Sequence, residues 1–189
     1  MSKSRTRQPA NQIRMIGGQW RGRKLSFPDA EGLRPTADRV RETVFNWLTD
    51  HVRGSRCLDM FAGSGALGFE ALSRGASHCC FVDKNPAVLR QIQANCELLK
   101  ATSQSELVLA DANVPLQTSE PFDIVFLDPP FKSASLPRCL DWLINSATLK
   151  PGALIYIETA KDEPWRNDSL NVLKEKYAGE VCFRLTELK

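Results

Sequence analysis

The architecture follows from residues 56–74, which read RCLDMFAGSGALGFEALSR. A strand-like run over residues 56–61 passes through a glycine-rich turn into a helical pattern over residues 66–74. A strand that leads through a tight turn into a helix begins a β-α-β unit, the unit from which parallel sheets are built. The stretch therefore predicts an α/β fold.

The same alternation continues along the chain. It predicts further strands over residues 78–83, 106–110, 123–128 and 153–158, and helices over residues 86–100 and 136–147. The apolar run Ile124–Leu127 is typical of a parallel strand that helices cover on both faces. Two last strand-like runs, residues 170–174 and 181–185, flank Tyr177-Ala178-Gly179 and predict an antiparallel edge. Together these patterns predict one compact domain built on a mostly parallel sheet.

Positive charge is concentrated near the N-terminus. Residues 1–56 hold 12 Lys+Arg and 5 Asp+Glu, a net charge of +7, while the remaining 13 basic and 17 acidic residues give −4. Basic residues of the first stretch alternate with apolar ones around Gly17-Gly18, which predicts a short hairpin or arm. Apolar residues at helical spacing from Thr36 onward predict an amphipathic helix. The asymmetry indicates a basic nucleic-acid contact surface beside an acidic ligand pocket, with these candidate contacts: Arg14, Arg21, Arg23, Lys24, Arg34 and Arg39.

Composition excludes several classes of protein. A hydrophobic fraction of 42% and a charged fraction of 25% are ordinary for globular domains, and no apolar run is long enough to cross a bilayer. The polar, basic N-terminus argues against a secretory signal, so we expect a cytoplasmic protein without a membrane partner. The six cysteines form no C-x-x-C pair and the two histidines stand apart from them, so we expect reduced cysteines and no metal site.

Acidic residues end four of the predicted strands. They are Asp59, Asp83, Asp111 and Asp128. In an open α/β sheet, ligands bind beyond the carboxyl ends of the strands. One aspartate in such a place is usually a helix cap or a turn residue. Four in equivalent places indicate a shared ligand pocket.

The glycine-rich turn alone leaves the ligand open. Gly63, Gly65 and Gly68 have the G-x-G-x-x-G spacing, and Asp83 follows Gly63 by 20 positions, which suits a dinucleotide cofactor as well. Charge favours S-adenosylmethionine, because clustered carboxylates repel a pyrophosphate but attract a sulfonium, an ammonium, hydroxyls and an amino group. The turn lacks the G-K-[ST] of a P-loop and the flanking glycines of a nucleophile elbow.

The most specific signal is Asp128-Pro129-Pro130-Phe131, which follows the apolar strand. It resembles the amino-group methyltransferases, whose signature at this point is [DNS]-P-P-[FYW]. By that resemblance, Asp128 and the Pro129 carbonyl hold the target amino group, and Phe131 stacks on the base. Two consecutive prolines fix the backbone and remove two N–H donors, which leaves an acceptor-lined pocket.

Nearly the whole chain resembles the small ribosomal RNA methyltransferase D family. Beyond the motifs above, the match rests on residues 16–18, 21–23 and 34–42. It implies a Rossmann-like class I methyltransferase with a seven-stranded, mostly parallel sheet whose last strand is antiparallel, and an N-terminal basic hairpin. It also implies an RNA-contacting arm over residues 1–33 and a methyltransferase domain over residues 34–189.

The resemblance further implies a reaction and a set of site residues. The reaction is methylation of the exocyclic N2 of one guanine of 16S rRNA, guanine 966, in the assembling 30S subunit. The implied catalytic residues are Asp128, Pro129, Pro130 and Phe131. The implied residues for S-adenosylmethionine are Asp59, Phe61, Gly63, Ser64, Gly65, Asp83, Asp111 and Ala112.

Three other functions stay open at this point. A DNA adenine-N6 methyltransferase uses the same four-residue signature, and a basic arm suits either nucleic acid. A nicotinamide-dependent oxidoreductase explains the glycines and Asp83 but leaves Asp128–Phe131 without a role. A non-catalytic RNA-binding assembly factor with the same fold is the third. We expect a monomer.

Overall fold

A computed structural model describes residues 11–28, 36–130, 133–163 and 165–189. Within them, an N-terminal hairpin consists of β1 (Asn11–Arg14) and β2 (Lys24–Phe27). The helices are α1 (Asp38–Trp47), α2 (Ala66–Ser73), α3 (Pro86–Leu99) and α4 (Ser135–Ile144). The remaining strands are β3 (Arg56–Asp59), β4 (His78–Asp83), β5 (Ser105–Leu109), β6 (Phe122–Leu127), β7 (Leu149–Ala160), β8 (Leu170–Ala178) and β9 (Val181–Leu188).

Strands β3 to β9 form one sheet in the order β5-β4-β3-β6-β7-β9-β8. The first five of these strands pair in parallel, whereas β9 runs antiparallel to both of its neighbours. This confirms the predicted seven-stranded sheet with an antiparallel last strand. The edge strand at this end of the sheet is β8, however, because the tight turn at Gly179 folds β9 back into the place between β7 and β8.

Helices cover both faces of the sheet, and β6 shows why its sequence is apolar throughout. Ile124 and Phe126 pack in one core cluster with the apolar residues of α1, α2 and α3. Val125 and Leu127 point to the other face and pack with those of α4. Successive side chains of a strand face opposite sides, so a strand covered on both faces needs an unbroken apolar run.

The N-terminal hairpin packs against the body of the protein. Its apolar side chains, including Met15 and Leu25, are buried in the same cluster as α2 and α3. The backbone N–H of Trp20 donates to Ser73 Oγ at 3.0 Å, and that hydroxyl donates to the carbonyl of Gly17 at 2.6 Å. Apolar burial and these hydrogen bonds therefore fix the hairpin against the end of α2.

A buried carboxylate anchors this contact. Glu70 of α2 has no exposed surface and accepts hydrogen bonds from the backbone N–H groups of Ile16 and Gly17, at 2.9 and 2.7 Å. Arg74 Nε donates to it at 2.8 Å, and the fully buried Arg41 of α1 lies 3.7 Å away. Arg41 in turn donates to the carbonyl of Arg14 at 2.8 Å. A buried charge is tolerated only when partners surround it, and here the partners join the hairpin, α1 and α2.

We expect Gly18→Ala to destabilise the fold more than Gly22→Ala. Both glycines have positive φ, +72° and +84°, so alanine costs about 1 kcal/mol at either position. A Cβ at Gly18 would lie 1.8 Å from the carbonyl oxygen of Ser73, whereas a Cβ at Gly22 meets nothing within 4 Å. Urea unfolding should show an additional loss of about 2 kcal/mol or more for Gly18→Ala. Equal losses of stability in the two variants would contradict the position of the hairpin against α2.

Candidate active site

A cavity of about 650 Å³ lies beyond the carboxyl ends of β3, β4, β5 and β6. This volume is that of an ordinary small-molecule site. Ten of the predicted site residues line it: Asp59, Phe61, Gly63, Ser64, Asp83, Asp111, Ala112, Asp128, Pro129 and Pro130. Parallel strands bring their carboxyl ends to one edge of the sheet, which is why residues so far apart in sequence meet there.

Gly65 shapes the turn between β3 and α2 and is not among the residues that line the cavity. It precedes the first residue of α2 with φ +75°, and its N–H donates to the carbonyl of Ala62 at 2.6 Å. A Cβ here would lie 2.6 Å from Cε2 of Phe69. Only glycine therefore permits the turn that places Gly63 and Ser64 at the cavity wall.

Asp59, at the end of β3, is the most deeply buried acid of the cavity. Its side chain accepts a hydrogen bond from the N–H of Gly68 at 3.0 Å, and the residue is 2% exposed. Burial raises the pKa of its carboxyl from 3.8 to about 7, and the charges of Asp128 and Asp83 add to the effect. A cation placed in the cavity would offset that cost, so the site favours positively charged ligands.

Asp83, at the end of β4, joins two loops of the cavity. One carboxylate oxygen accepts from the N–H of Gly63 at 3.0 Å, and the other from the N–H of Asn85 at 2.8 Å. Asn85 caps the N-terminus of α3. A carboxylate has about four acceptor positions, so Asp83 holds the loops and retains capacity for ligand hydroxyls.

Asp111 and Ala112 follow β5 and form another wall. Asp111 is exposed and accepts from the backbone and side-chain nitrogens of Asn113, at 2.9 and 2.7 Å. The carbonyl of Ala112 accepts from the indole nitrogen of Trp142 in α4 at 2.8 Å. The helix on the far face of the sheet thus fixes this loop, while Asp111 stays available to a ligand amino group.

The segment Asp128-Pro129-Pro130 follows β6 and is rich in hydrogen-bond acceptors. Thr36 Oγ1 donates to Asp128 Oδ2 at 3.0 Å, and burial raises the pKa of the Asp128 carboxyl from 3.8 to about 6. Pro129 is buried and Pro130 is exposed. Neither proline has an N–H, so the two prolines offer only their backbone carbonyls, which lie beside the Asp128 carboxylate. Phe131 lies outside the described residues.

The predicted nucleic-acid contacts lie away from the cavity lining. Arg14, Arg21, Arg23 and Lys24 of the hairpin are exposed, as is Arg39 of α1. Arg34 lies outside the described residues. Not every basic residue of residues 1–56 contributes to the surface charge. Arg41 is fully buried beside Glu70 and adds nothing to that surface.

Sequence reasoning missed several residues in and near the cavity, Thr36 and Glu158 among them. Thr36 lines the cavity from the segment before α1, whereas Glu158 lies within β7, one residue beyond the Ile157 that pairs with Leu127 of β6. The strand-end argument could have found Glu158, because the predicted strand over residues 153–158 ended there. Thr36 lies in the segment of residues 34–42 that carried the family resemblance, but no local pattern predicted its contact with Asp128, which spans 92 positions.

No group of three or more metal-ligating side chains occurs among the residues that the structure describes. In the same part of the chain, no helix combines the length and the apolar character needed to span a membrane. All six cysteines are buried and unpaired.

The strand order, the glycine turn after β3 and the acid-lined cavity define a class I methyltransferase fold. Residues 13–187 match the family model described as Conserved hypothetical protein 95. The Haemophilus influenzae protein named Ribosomal RNA small subunit methyltransferase D is 44% identical over 190 residues, covering 98% of each chain. The chain therefore belongs to the ribosomal RNA small subunit methyltransferase D family, as its motifs predicted.

Solved structures agree with this assignment. The Escherichia coli protein yhhF is 44% identical, and the alignment covers 95% of this chain and 99% of that one with a TM-score of 0.85. A Thermus thermophilus 16S rRNA N2 methyltransferase, solved in complex with AdoMet and guanosine, aligns with a TM-score of 0.73 at 20% identity. That alignment covers 96% of this chain and 50% of the other, and it shows the likeness of fold.

We expect Asp59→Asn to stabilise the protein at pH 8. The amide keeps an acceptor for the N–H of Gly68 and removes the cost of burying a charge. Because the folded pKa of Asp59 is about 7 and its ordinary value is 3.8, wild-type stability falls relative to the variant between about pH 4 and pH 7. Above pH 7 the difference in the free energy of unfolding between the two proteins is constant, at most roughly 4 kcal/mol. Urea unfolding of both proteins from pH 5 to pH 8 measures it, and a difference independent of pH would contradict the burial effect.

Proposed function

We propose that this chain transfers the methyl group of S-adenosylmethionine to the exocyclic N2 of a guanine of 16S rRNA, guanine 966, in the assembling 30S subunit. One observation carries the proposal. Asp128-Pro129-Pro130 and the glycine turn with Asp59 and Asp83 line the same cavity, so an amine-holding segment and a cation-binding wall face one space. Membership of a family whose relatives are named for small-subunit ribosomal RNA supports the choice of polymer.

The cavity fits S-adenosylmethionine in its charge and in its acceptors. Asp59 suits the positively charged methionine end, beside the turn formed by Phe61, Gly63 and Ser64. Asp83 suits the ribose hydroxyls, and Asp111 with Ala112 suits the adenine. S-adenosylmethionine supplies a methyl group made electrophilic by the positive charge on its sulfur. Carboxylates at three strand ends favour this ligand over a dinucleotide, whose pyrophosphate they would repel.

The protein's own contribution is to hold the amine. The lone pair of an exocyclic amine is delocalised into the base, which makes the amine a poor nucleophile. The Asp128 carboxylate and the Pro129 carbonyl accept its two hydrogens, localise the lone pair and direct it into the cavity. Phe131 supplies a stacking face for a guanine turned out of the RNA. Positioning and electrostatics of this kind supply most of the acceleration.

Asp128→Ala should reduce methyl transfer at least about 100-fold at saturating S-adenosylmethionine, because the amine loses a directed acceptor. The affinity for S-adenosylmethionine should stay near that of wild type, since Asp128 lies at the substrate side of the cavity. Asp128→Asn, which keeps an acceptor oxygen, should lose much less than Asp128→Ala if the carboxylate positions the amine. Equal losses in both variants would instead assign proton transfer to Asp128.

The assay offers labelled S-adenosylmethionine with partly assembled small subunits, free 16S rRNA or DNA, followed by mass mapping of the modified nucleotide. Incorporation at N2 of guanine 966 in the assembling subunits is the expected result. Incorporation into DNA adenine would favour the DNA methyltransferase alternative. Binding of S-adenosylmethionine without transfer to any of the three would favour an assembly factor.

We also propose that the basic residues of the hairpin and α1 bind the RNA. Arg14, Arg21, Arg23, Lys24 and Arg39 are exposed, and we include Arg34 with them. In this proposal residues 1–33 form the RNA-contacting arm and residues 34–189 the methyltransferase domain, which acts as a monomer in the cytoplasm. The hydrogen bonds between Glu70 and the hairpin backbone support a fixed geometry between the two parts.

Reversing charge at Arg21 and Arg23 to Glu should weaken binding to 16S rRNA and leave the affinity for S-adenosylmethionine unchanged. The slope of log affinity against log salt should fall by about 1 for each phosphate that the protein no longer neutralises. The control is the double reversal of Arg53 and Lys174, two exposed cations outside the hairpin. Equal weakening in both double variants would show a general charge effect and contradict a specific surface.

A further inference from the structure

A hydroxyl lies beside the amine-holding end of the cavity. It belongs to Thr36, which lines the cavity from the segment before α1 and is 8% exposed. Thr36 Oγ1 donates to Asp128 Oδ2 at 3.0 Å. The Asp128 carboxyl has a pKa of about 6, so at neutral pH it is ionised and has no hydrogen to donate in return. The roles of Asp128, Pro129 and Phe131 in the proposed function leave this hydroxyl unused.

The hydrogen bond to Asp128 determines what Thr36 can offer to a ligand. A threonine hydroxyl has one hydrogen and two lone pairs. Because the hydrogen is directed at Asp128, the oxygen can accept from a ligand but cannot donate to it. Towards the cavity, Thr36 therefore behaves like the carbonyl of Pro129, and not like a free hydroxyl that adapts to a donor or an acceptor.

The obligate donor of the cavity lies at its cofactor side. Among the described residues of the lining, Lys84 is the one whose side chain can donate but not accept, and it follows Asp83 at the end of β4. The hydroxyls of Ser133 and Ser135, close to the start of α4, can donate or accept and so suit either kind of partner. The choice between a donor and an acceptor on the substrate base therefore depends on Thr36 and its neighbours.

The bases that carry an exocyclic amine differ at the ring nitrogens beside it. Next to the 2-amino group of guanine lies N1, which carries a hydrogen. Next to the amino groups of adenine and cytosine, the ring nitrogen carries a lone pair and no hydrogen. Enzymes that turn a base out of the stack read it through this edge. An acceptor beside the bound amine therefore attracts guanine and repels adenine and cytosine.

We propose that Thr36 is a specificity-determining residue, whose oxygen accepts the N1–H of guanine while Asp128 and Pro129 hold the 2-amino group. The inference rests on the proposed function and extends it to the choice of base. N1–H and one N2–H point the same way from the guanine edge, and the two acceptor oxygens of Thr36 and Asp128, 3.0 Å apart, suit this pair of hydrogens. Asp128-Pro129-Pro130 by itself suits any exocyclic amine, and Thr36 adds an acceptor that adenine does not satisfy.

Base analogues at the target position test this contact in the wild-type protein. 2-Aminopurine keeps the 2-amino group but has a lone pair at N1 and lacks the 6-oxygen. 6-Thioguanine keeps N1–H and the 2-amino group and replaces only the 6-oxygen, so it is the matched control. Partly assembled small subunits that carry each base are compared by kcat/KM. We expect wild type to prefer guanine over 2-aminopurine by roughly 100-fold, and over 6-thioguanine by less than about tenfold.

Thr36→Val separates a role in specificity from a role in positioning Asp128. The variant loses the hydrogen bond to Asp128, so kcat/KM should fall for every base. The preference for guanine over 2-aminopurine should also fall, roughly tenfold, because valine neither accepts from N1–H nor repels a lone pair. Thr36→Ser keeps a hydroxyl and should keep the preference. A residue that only positioned Asp128 would lower both rates equally and leave their ratio unchanged.

Thr186→Val is the matched control variant. Thr186 is a fully buried threonine of β9 whose hydroxyl donates to the carbonyl of Ile155 at 2.9 Å, and it does not line the cavity. The variant should lose stability, as expected for a lost buried hydrogen bond, and keep the wild-type preference for guanine. Urea unfolding and calorimetric binding of S-adenosylmethionine, measured on every variant, separate folding and cofactor effects from the effect on base preference.

Three results would overturn the inference: equal kcat/KM of wild type for guanine and 2-aminopurine, an equally large loss with 6-thioguanine, or an unchanged preference in Thr36→Val. If Thr36→Val does not fold, the analogues on wild type and Thr36→Ser decide the question. Absence of methyl transfer to guanine by the wild-type protein, or transfer to adenine, would instead overturn the proposed function. Because wild type is measured first on the guanine substrate, the two failures are distinguishable.

Discussion

Carboxyl groups held in a poorly solvated cavity are the constraint on which the rest of the site depends. The parallel sheet brings the ends of β3 and β6 together, and burial then raises the pKa of Asp59 to about 7 and of Asp128 to about 6. Such carboxyls resist ionisation unless a cation or hydrogen-bond donors compensate for the lost water. The fold therefore favours ligands that bring a positive charge or amino groups, as a sulfonium methyl donor and a base amine do.

Glu70 is a further buried acid, and its role is structural. Glu70 lies on α2, the helix that starts at the glycine turn of the cavity, and it holds the backbone of the hairpin at Ile16 and Gly17. The same helix therefore borders the cofactor side of the cavity at its start and the hairpin further along. A rigid connection between the basic hairpin and the cavity suits an enzyme that must bring one nucleotide of a large RNA to a fixed point.

Much of this arrangement could be predicted from sequence because it depends on local pattern. Alternating strand and helix periodicity predicted the sheet, and the strand-end argument predicted the acids Asp59, Asp83, Asp111 and Asp128. Contacts between distant residues could not be predicted in this way. The hydrogen bond from Thr36 to Asp128 spans 92 positions, and the one from Ile16 to Glu70 spans 54. The place of β9 inside the sheet depends on strand pairing, which periodicity does not encode.

A crystal structure with S-adenosylmethionine bound tests the central claim most directly. We predict that its methionine end lies against Asp59 and Gly63, that its ribose reaches Asp83, and that its methyl group faces Asp128. The side chain of Phe131 should stand at the mouth of the same cavity. Binding of the methyl donor elsewhere on the protein, or a Phe131 ring buried away from any opening, would contradict this account.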